Sequence, residues 1–166
     1  MGECGAPGEI RRSSVKGEVE RMFLGQYQHT IDNKGRLTIP SRYRELLIAD
    51  GAFVTQGFDR NLMVLTVPAF ERVLERVNQM SLTDPSARLL KRLIFSSAER
   101  ADMDKAGRIL IPDFLRLMAE LDTDAIVAGA GSYFEIWSPK NWSDQVAKLQ
   151  DADANAQRFT VLDLSI

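Results

Sequence analysis

A nine-residue motif occurs twice in this chain and constrains the fold more than any other feature of the sequence. Residues 32–40 read DNKGRLTIP and residues 104–112 read DKAGRILIP, so each shared position recurs 72 residues later (104 − 32, 112 − 40). A repeat at constant register indicates two copies of one supersecondary unit. Each copy joins a charged loop to an apolar strand. The chain therefore offers the same loop twice, which favours a partner-binding surface over a single catalytic pocket.

The patterning of apolar and polar residues divides the chain into consecutive segments. We expect a leader that is disordered or an added extension (1–21), a first repeat (22–80), a linker helix (81–96), a second repeat (97–149) and a C-terminal tail (150–166). Within each repeat, the order of signals is strand, turn, strand, short helix, hairpin and longer helix. Two small halves that mix helices and strands predict an α+β fold.

Local signals also predict individual elements. The arms of the first hairpin in each repeat are expected at 24–31, 36–39, 97–103 and 108–111. In the first repeat, Asn33-Lys34-Gly35 supplies the turn between the arms. Ser138 and Pro139 predict the N-cap and first position of the last long helix. In the tail, Leu162, Leu164 and Ile166 alternate with polar residues, which predicts an edge strand or a docking peptide.

Composition removes several classes of function. Hydrophobic residues make up 45% of the 166 residues and charged residues 27%, as in globular proteins. No apolar run approaches the roughly 18 residues of a membrane span. Cys4 and His29 are the sole residues of their types, which excludes internal disulfides and argues against a Cys/His zinc site. Because no nucleophile triad, phosphate loop or carboxylate pair is apparent, we expect no enzyme, no metal, no cofactor and a cytoplasmic location.

Positive charge is concentrated in the first copy of the motif. The net charge of −2 does not resemble the basic footprint of a nucleic-acid-binding protein. Residues 32–44, however, carry four basic groups against Asp32, a local charge of +3. Residues 104–116 carry three basic groups against two acidic ones, a local charge of +1. A surface built from the two loops would therefore be more basic in its first half.

Two interpretations of the motif follow from the chemistry of its side chains. In the first, D-x-x-G-R is a tight hairpin whose aspartate accepts N–H groups of the turn and pairs with the arginine. In the second, the loops present arginine and lysine to DNA, because a planar guanidinium matches guanine O6 and N7, or a phosphate, bidentately. Asp32 and Asp104 would then orient Arg36 and Arg108 without touching DNA, since a carboxylate repels phosphate.

From Met22 onward, the chain resembles the MraZ transcriptional regulators of bacteria. The resemblance is carried by MFLGQY at 22–27, by both copies of the motif, and by Arg42-Tyr43-Arg44 after the first copy. It implies two tandem AbrB-like swapped-hairpin halves, β-barrel-like and with short helices. It also implies a nucleoid-associated repressor of its own promoter in the division and cell-wall gene cluster. Such regulators bind short direct repeats of double-stranded DNA as ring-shaped homo-oligomers.

The motif and the resemblance assign residues to two groups. Those expected to contact DNA are Lys34, Arg36, Arg42, Arg108 and Lys105, and those expected to shape the loops are Asp32, Gly35, Asp104 and Gly107. Lys105 directly follows its aspartate, whereas Lys34 stands two positions after its own. A ring would let a protomer of net charge −2 bind DNA, because several moderate contacts on one rim add avidity.

Two other functions stay open on the sequence. An antitoxin-like interaction module of the AbrB class would grip a partner protein with its helices or with residues 159–166. A purely structural ring or a small-ligand barrel would show no salt-sensitive binding to DNA. We expect Tyr43, Trp137 and Trp142 to pack against other side chains and not to stack on bases.

Overall fold

The structure, a computed structural model, describes residues 17–164. The leader expected at 1–21 lies largely outside the described residues, as do Ser165 and Ile166 at the end of the tail. Within the described range, none of the helices has the length and apolar content that crossing a bilayer requires.

Strands and helices follow one another in a similar order in both repeats. The strands are β1 (Gln26–Thr30), β2 (Arg36–Thr38), β3 (Ala52–Gln56), β4 (Leu62–Thr66), β5 (Glu99–Arg100), β6 (Arg108–Leu110), β7 (Asp124–Gly129) and β8 (Tyr133–Trp137). The helices are α1 (Ser41–Asp50), α2 (Val67–Asn78), α3 (Pro85–Phe95), α4 (Asp113–Met118), α5 (Pro139–Leu149) and α6 (Ala152–Phe159).

The strands form two antiparallel sheets, and both sheets join the two repeats. The larger sheet has the order β1-β7-β8-β4-β3-β5, and the smaller one pairs β2 with β6. The first strand of each repeat pairs with the third strand of the other, β1 with β7 and β5 with β3. The repeats therefore exchange their first hairpins. This arrangement confirms the α+β class with two tandem swapped-hairpin halves.

The structure corrects the pairing that the sequence predicts inside each first hairpin. One bridge joins the two arms, Ile31 to Leu37 in the first copy and Met103 to Ile109 in the second. Beyond this bridge, β2 and β6 pair with each other and Leu37 lies opposite Ile109. Both side chains are fully buried there. Burial of apolar surface against the other repeat stabilises this exchange more than further local pairing would.

Alternation along β2 and β6 separates a buried face from an outer face. The centre of the core contains four fully buried residues from these strands and the positions after them: Leu37, Ile39, Ile109 and Ile111. Because successive side chains of a strand point to opposite faces, the residues between them lie on the other side. We call that side the outer face; its members are Arg36, Thr38, Arg108 and Leu110.

The helices begin where the sequence signals place them. Ser138 caps α5, its hydroxyl accepting the N–H of Asn141 at 3.2 Å, and Pro139 follows as predicted. Tyr43 on α1 is buried, as expected, and its hydroxyl donates to the backbone oxygen of Leu24 at 2.8 Å. Trp137 is buried and packs on Trp142, with 5.7 Å between ring centroids. These aromatic side chains therefore stabilise the fold.

Two predictions about secondary structure are wrong. The strand expected at 97–103 is reduced to β5, because the Ser97 hydroxyl donates to the carbonyl of Leu93 at 2.6 Å and prolongs the end of α3. The tail begins with a helix, α6, capped by the carboxylate of Asp151, which accepts the N–H of Ala154 at 3.0 Å. Of the described residues after α6, none lies in a strand, so the edge strand expected there is absent from 160–164.

Candidate nucleic-acid interface

The first copy of the motif folds into a turn organised by one carboxylate. One oxygen of Asp32, Oδ1, accepts the backbone N–H groups of Lys34 at 3.0 Å and Arg36 at 2.9 Å. The other, Oδ2, accepts Nε of Arg36 at 2.7 Å. Gly35 closes the turn with φ of +83°, a conformation that side-chain-bearing residues rarely adopt. We call residues 32–36 the first tip.

The second copy has the same geometry with different intermediate residues. Oδ1 of Asp104 accepts the N–H groups of Ala106 at 2.9 Å and Arg108 at 3.0 Å, and Oδ2 accepts Nε of Arg108 at 2.9 Å. Gly107 has φ of +76°. We call residues 104–108 the second tip. Aspartate, glycine and arginine are therefore enough to specify the turn, whereas the two positions between them are free to vary.

Strand exchange brings the two tips together on the outer face. The register of β2 with β6 sets Arg36 opposite Leu110 and Thr38 opposite Arg108. Arg108 also reaches across the repeats, with Nη1 at 3.5 Å from Oδ2 of Asp32. Asp32 thus contacts both motif arginines. The result is a compact two-arginine surface to which each repeat contributes one guanidinium.

Both arginines are held in place yet remain accessible. The side chain of Arg36 is 33% exposed and that of Arg108 is 29% exposed. In each case the motif aspartate engages Nε. Within the described residues, the two terminal NH₂ groups of Arg36 form no hydrogen bond in the structure, so they are available as donors. The arginine–aspartate pair is what the tight-hairpin interpretation expects, and the available donors are what contact with DNA requires.

The aspartates of both tips are stabilised in their charged form. The hydrogen bond from the backbone N–H of Arg36 contributes most to lowering the pKa of Asp32 below its ordinary value, followed by the hydrogen bond from the Arg36 side chain. The N–H and the guanidinium of Arg108 lower the pKa of Asp104 in the same way. Both carboxylates are therefore ionised at neutral pH and hold their arginines by charge as well as geometry.

The remaining predicted contact residues are divided between two places. Lys34 and Lys105 are exposed on the first and second tips, next to the motif arginines in sequence. Arg42 is also exposed, but it lies on α1 beside a shallow cleft lined by residues that include Met22 and Leu24. Among residues 17–164, no hydrogen bond or ion pair connects the Arg42 side chain with either tip.

Sequence reasoning missed two further arginines that contact the tips. Arg44 on α1 lies against Gly107 of the second tip, and Arg116 on α4 lies against Gly35 of the first tip. Each arginine thus touches the tip of the repeat to which it does not belong. Their separation equals that of the motifs (116 − 44 = 72), so extending the repeat register beyond Pro40 and Pro112 would have revealed them as a pair.

His29 lies near this surface without the surroundings of a metal site. It is half-buried in β1 and stacks on Tyr27, with 6.5 Å between ring centroids. Burial, and secondarily the charge of Arg44, lower the pKa of His29 below its ordinary value. In residues 17–164, no group of three or more His, Cys, Asp or Glu side chains is arranged to hold a metal ion.

An open apolar groove of about 500 Å³ occupies a different part of the molecule. It lies between β4, α2 and α3, and its lining includes Met63, Val73 and Ile94. Arg72 and Arg76 stand in the same lining. The groove has no carboxylate in its lining and no nucleophile paired with a base, so it is suited to contact an apolar surface.

Comparison with known proteins gives one family for both repeats. The family model described as "MraZ protein, putative antitoxin-like" matches the chain twice, at residues 22–93 and 94–163. The two matches together span both tips, both sheets and the helices between them.

Curated relatives are similar over most of their length. The chain is 44% identical over 138 residues to the transcriptional regulator MraZ of Roseiflexus castenholzii, which covers 83% of this chain and 94% of that protein. It is 43% identical over 142 residues to the transcriptional regulator MraZ of Thermomicrobium roseum, covering 85% and 99%. It is 42% identical over 140 residues to that of Desulfitobacterium hafniense strain Y51, covering 84% and 97%.

Proposed function

The chain belongs to the MraZ family, and from this premise we propose that it is a transcriptional regulator that binds double-stranded DNA through its two tips. The observation that carries the proposal is the pair of aspartate-held arginines, Arg36 and Arg108, on one outer face. The curated relatives bear the name of a transcriptional regulator and not of an enzyme, which supports a function without catalysis.

The chemistry of the tips suits base or phosphate recognition. A guanidinium whose Nε is already engaged keeps two terminal NH₂ groups in one plane, and these match guanine O6 and N7 or a phosphate. Because Asp32 and Asp104 fix the arginines before binding, less side-chain entropy is lost on contact with DNA. Lys34 supplies a mobile positive charge for the phosphate backbone. The major groove of B-DNA admits a two-stranded β-ribbon such as β2–β6.

The regulatory role that we propose is repression of the chain's own promoter. The repeats 22–80 and 97–149 would act as one DNA-reading unit, because strand exchange sets their tips side by side. The operator would consist of short direct repeats, and the protein would act in the cytoplasm, associated with the nucleoid. The local charge of +3 at residues 32–44 supports a contact that is moderate for one protomer.

We propose further that protomers assemble into a ring, so that several tips face the same DNA. The exposed apolar surface supports self-association: the groove between α2 and α3 is open, and the tail exposes Phe159, Leu162 and Leu164. A second copy of the chain carries apolar surface on the tail that matches the apolar groove. Multiple weak contacts at matching spacing raise avidity by orders of magnitude.

Binding to the DNA upstream of the chain's own coding sequence tests the proposal. We expect Arg36→Ala to weaken binding by about 5- to 150-fold, since one bidentate arginine–guanine pair contributes roughly 1–3 kcal/mol. Arg92→Ala is the matched control, because it removes one exposed arginine from α3 and leaves both tips intact. Fluorescence anisotropy gives the affinity, and light scattering after size exclusion gives the assembly state. Unchanged affinity in Arg36→Ala would refute the assignment.

A second experiment separates avidity from intrinsic affinity. Probes with one operator repeat and with several repeats are titrated against the same protein. We expect the longer probe to bind much more tightly and with a steeper dependence on salt. Equal affinity for both probes would remove the ring from the proposal. A small protein that co-purifies at fixed stoichiometry would instead favour the antitoxin-like alternative.

A further inference from the structure

Each tip is built by one repeat but attached to the other. The backbone oxygen of Gly35 in the first tip accepts the N–H of Ile111, which lies 72 residues beyond Ile39. The distance between these atoms is 2.8 Å. The backbone oxygen of Gly107 in the second tip accepts the N–H of Ile39 at 2.9 Å. The two tips are therefore held by equivalent bonds that cross between the repeats.

An arginine completes each of these attachments. Nε of Arg116 donates to the backbone oxygen of Ile111 at 3.1 Å, on the same residue whose N–H holds Gly35. Nε of Arg44 donates to the backbone oxygen of Ile39 at 2.8 Å, and the N–H of Ile39 holds Gly107. Each arginine thus anchors the residue that anchors the opposite tip.

The guanidinium groups also lie directly on the two glycines. A Cβ atom at Gly35 would stand 2.8 Å from Cζ of Arg116, and one at Gly107 would stand 2.5 Å from Cζ of Arg44. Both distances are shorter than real Cβ atoms tolerate. Positive φ favours glycine at both positions, and any larger residue there would also displace the guanidinium of the arginine that lies on it.

The two arginines are not anchored equally. Nη2 of Arg116 donates to Oδ1 of Asp113, at the start of the same helix. The corresponding position on α1 is Ser41 (113 − 72 = 41), which has no carboxylate. Arg116 is therefore fixed both at Nε and at Nη2, and it rests on the first tip.

We propose that Arg116, in the second repeat, is a positioning residue for the DNA-reading groups of the first tip, and that Arg44, in the first repeat, is the positioning residue for the second tip. This inference deepens the proposed function and rests on it for its DNA consequence. The contacts of both arginines with the tips are formed in the protein without DNA. Each tip is attached to the opposite repeat in addition to the hydrogen bonds of its own aspartate, so loss of one arginine loosens the tip of the opposite repeat.

Loss of Arg116 should loosen the first tip in particular, because the contacts of Arg116 cross from the second repeat to the first. Without the guanidinium of Arg116, the carbonyl of Ile111 loses a charge-assisted donor and the space over Gly35 opens. The turn of the first tip then samples more conformations, and Arg36 must be reordered when it meets DNA. Affinity falls without removal of any DNA-contacting group, by about tenfold where one preorganising contact is lost.

Hydrogen–deuterium exchange of the full chain without DNA tests the proposal. The matched variants are Arg116→Met and Arg44→Met, which keep most of the side-chain length and remove the guanidinium. We expect Arg116→Met to speed exchange of the Lys34 and Arg36 amides and to leave the second tip unchanged. Arg44→Met should speed exchange of the Ala106 and Arg108 amides. Faster exchange in each variant's own repeat, in both tips alike or in neither would overturn the proposal.

Further variants protect the test against misfolding and against a direct role in DNA contact. Asp113→Ala removes only the outer anchor of Arg116, at an exposed carboxylate, and should loosen the first tip to a smaller degree. Arg116→Lys keeps the positive charge but not the Nε–H. If Arg116→Lys restores the exchange rates of the first tip, charge alone suffices and the positioning role is wrong.

Operator affinity of the same variants is measured in parallel. We expect Arg116→Met to bind the operator more weakly than Arg44→Met, and Arg116→Lys to stay weak. A loss of affinity with unchanged exchange at both tips would identify Arg116 as a direct contact and overturn the positioning role. Crossed exchange in a protein that binds no operator would retain the positioning role and refute the proposed function, so the two failures are distinguishable.

Discussion

The first tip and the second tip share one backbone geometry but differ in their surroundings. In both, an aspartate accepts two N–H groups and the Nε of its arginine. Asp32, however, also contacts the arginine of the other tip at 3.5 Å. In the sequence, residues 32–44 carry a local charge of +3 and residues 104–116 one of +1, but in the structure Arg44 lies against the second tip and Arg116 against the first. The two copies thus share the turn, and they differ in the second contact that Arg108 makes with Asp32.

The tips differ at the surface of the protein and not in the core beneath it. Beneath the outer face, Leu37 and Ile109 are opposite each other and both fully buried. The two repeats therefore share one core at this place, and any functional difference between the tips must arise from the side chains around them. Substitutions in the core and then at the tips, taken in order of decreasing expected effect, test this difference.

The largest expected effect is on stability, and it should be the same for both repeats. Leu37→Ala and Ile109→Ala each remove a fully buried aliphatic side chain from the shared core. We expect each to lower the free energy of unfolding by about 2–5 kcal/mol. Chemical denaturation measures the loss. A much larger loss in one variant would show that the repeats do not contribute equally to the core.

Removal of the motif arginine should weaken binding to DNA more in the first tip than in the second. We expect Arg36→Ala to cost about 1–3 kcal/mol of operator binding. Arg108→Ala should cost less, because one terminal NH₂ group of Arg108 is already engaged by Asp32. Thermal unfolding of both variants controls for folding. A greater loss in Arg108→Ala would invert the comparison between the tips.

The lysines should differ in the dependence of binding on salt. Lys34→Ala removes an exposed charge from the first tip, and we expect the slope of log affinity against log salt to fall by about 1 per contact. Lys105→Ala should change the slope less, because Lys105 stands at a different place in its turn. Titrations at several salt concentrations measure both slopes. Equal changes would show that the displacement of Lys105 does not matter.

The smallest effect is the response of the tips to acid, and it should be common to both. Backbone and guanidinium hydrogen bonds lower the pKa values of Asp32 and Asp104 below 3.8. A lowered folded-state pKa stabilises the fold above the unfolded-state value, and this contribution is lost as pH falls through the folded-state value. Tip order should therefore stay constant from pH 7 to about pH 5 and decline below about pH 4.

Variants show whether the carboxylates cause that decline. Asp32→Asn and Asp104→Asn remove one titrating group each and should flatten the acid limb of the stability curve to a similar extent. Thermal unfolding as a function of pH is the measurement. A decline that begins near pH 6 in the unmodified protein would implicate His29, whose neutral form is favoured by burial, instead of the aspartates.

Much of the turn geometry could be predicted because it depends on neighbouring residues. An aspartate followed three positions later by glycine and four positions later by arginine has local hydrogen-bond partners, so its chemistry is readable from the sequence. The helix capped by Ser138 is local in the same sense and matches its signal. Asp151 is an equally good N-cap residue for α6. The alternating apolar residues later in the tail favoured a strand instead.

The contacts that cross between the repeats could not be predicted from local patterns. Alternation predicts that β2 is a strand, but the choice of β6 over β1 as its partner depends on burial of Leu37 against Ile109. The positions of Arg44 and Arg116 depend on that exchange, since each meets a glycine more than sixty residues away in sequence. The two-arginine surface is likewise a product of the exchange.

Hydrogen–deuterium exchange with and without operator DNA tests the central claim most directly. The account predicts that DNA protects residues 32–36 and 104–108, more strongly in the first tip, while the helices α2 and α3 around the apolar groove show no DNA-dependent change. Protection confined to other surfaces, with both tips exchanging as fast as in the free protein, would contradict it.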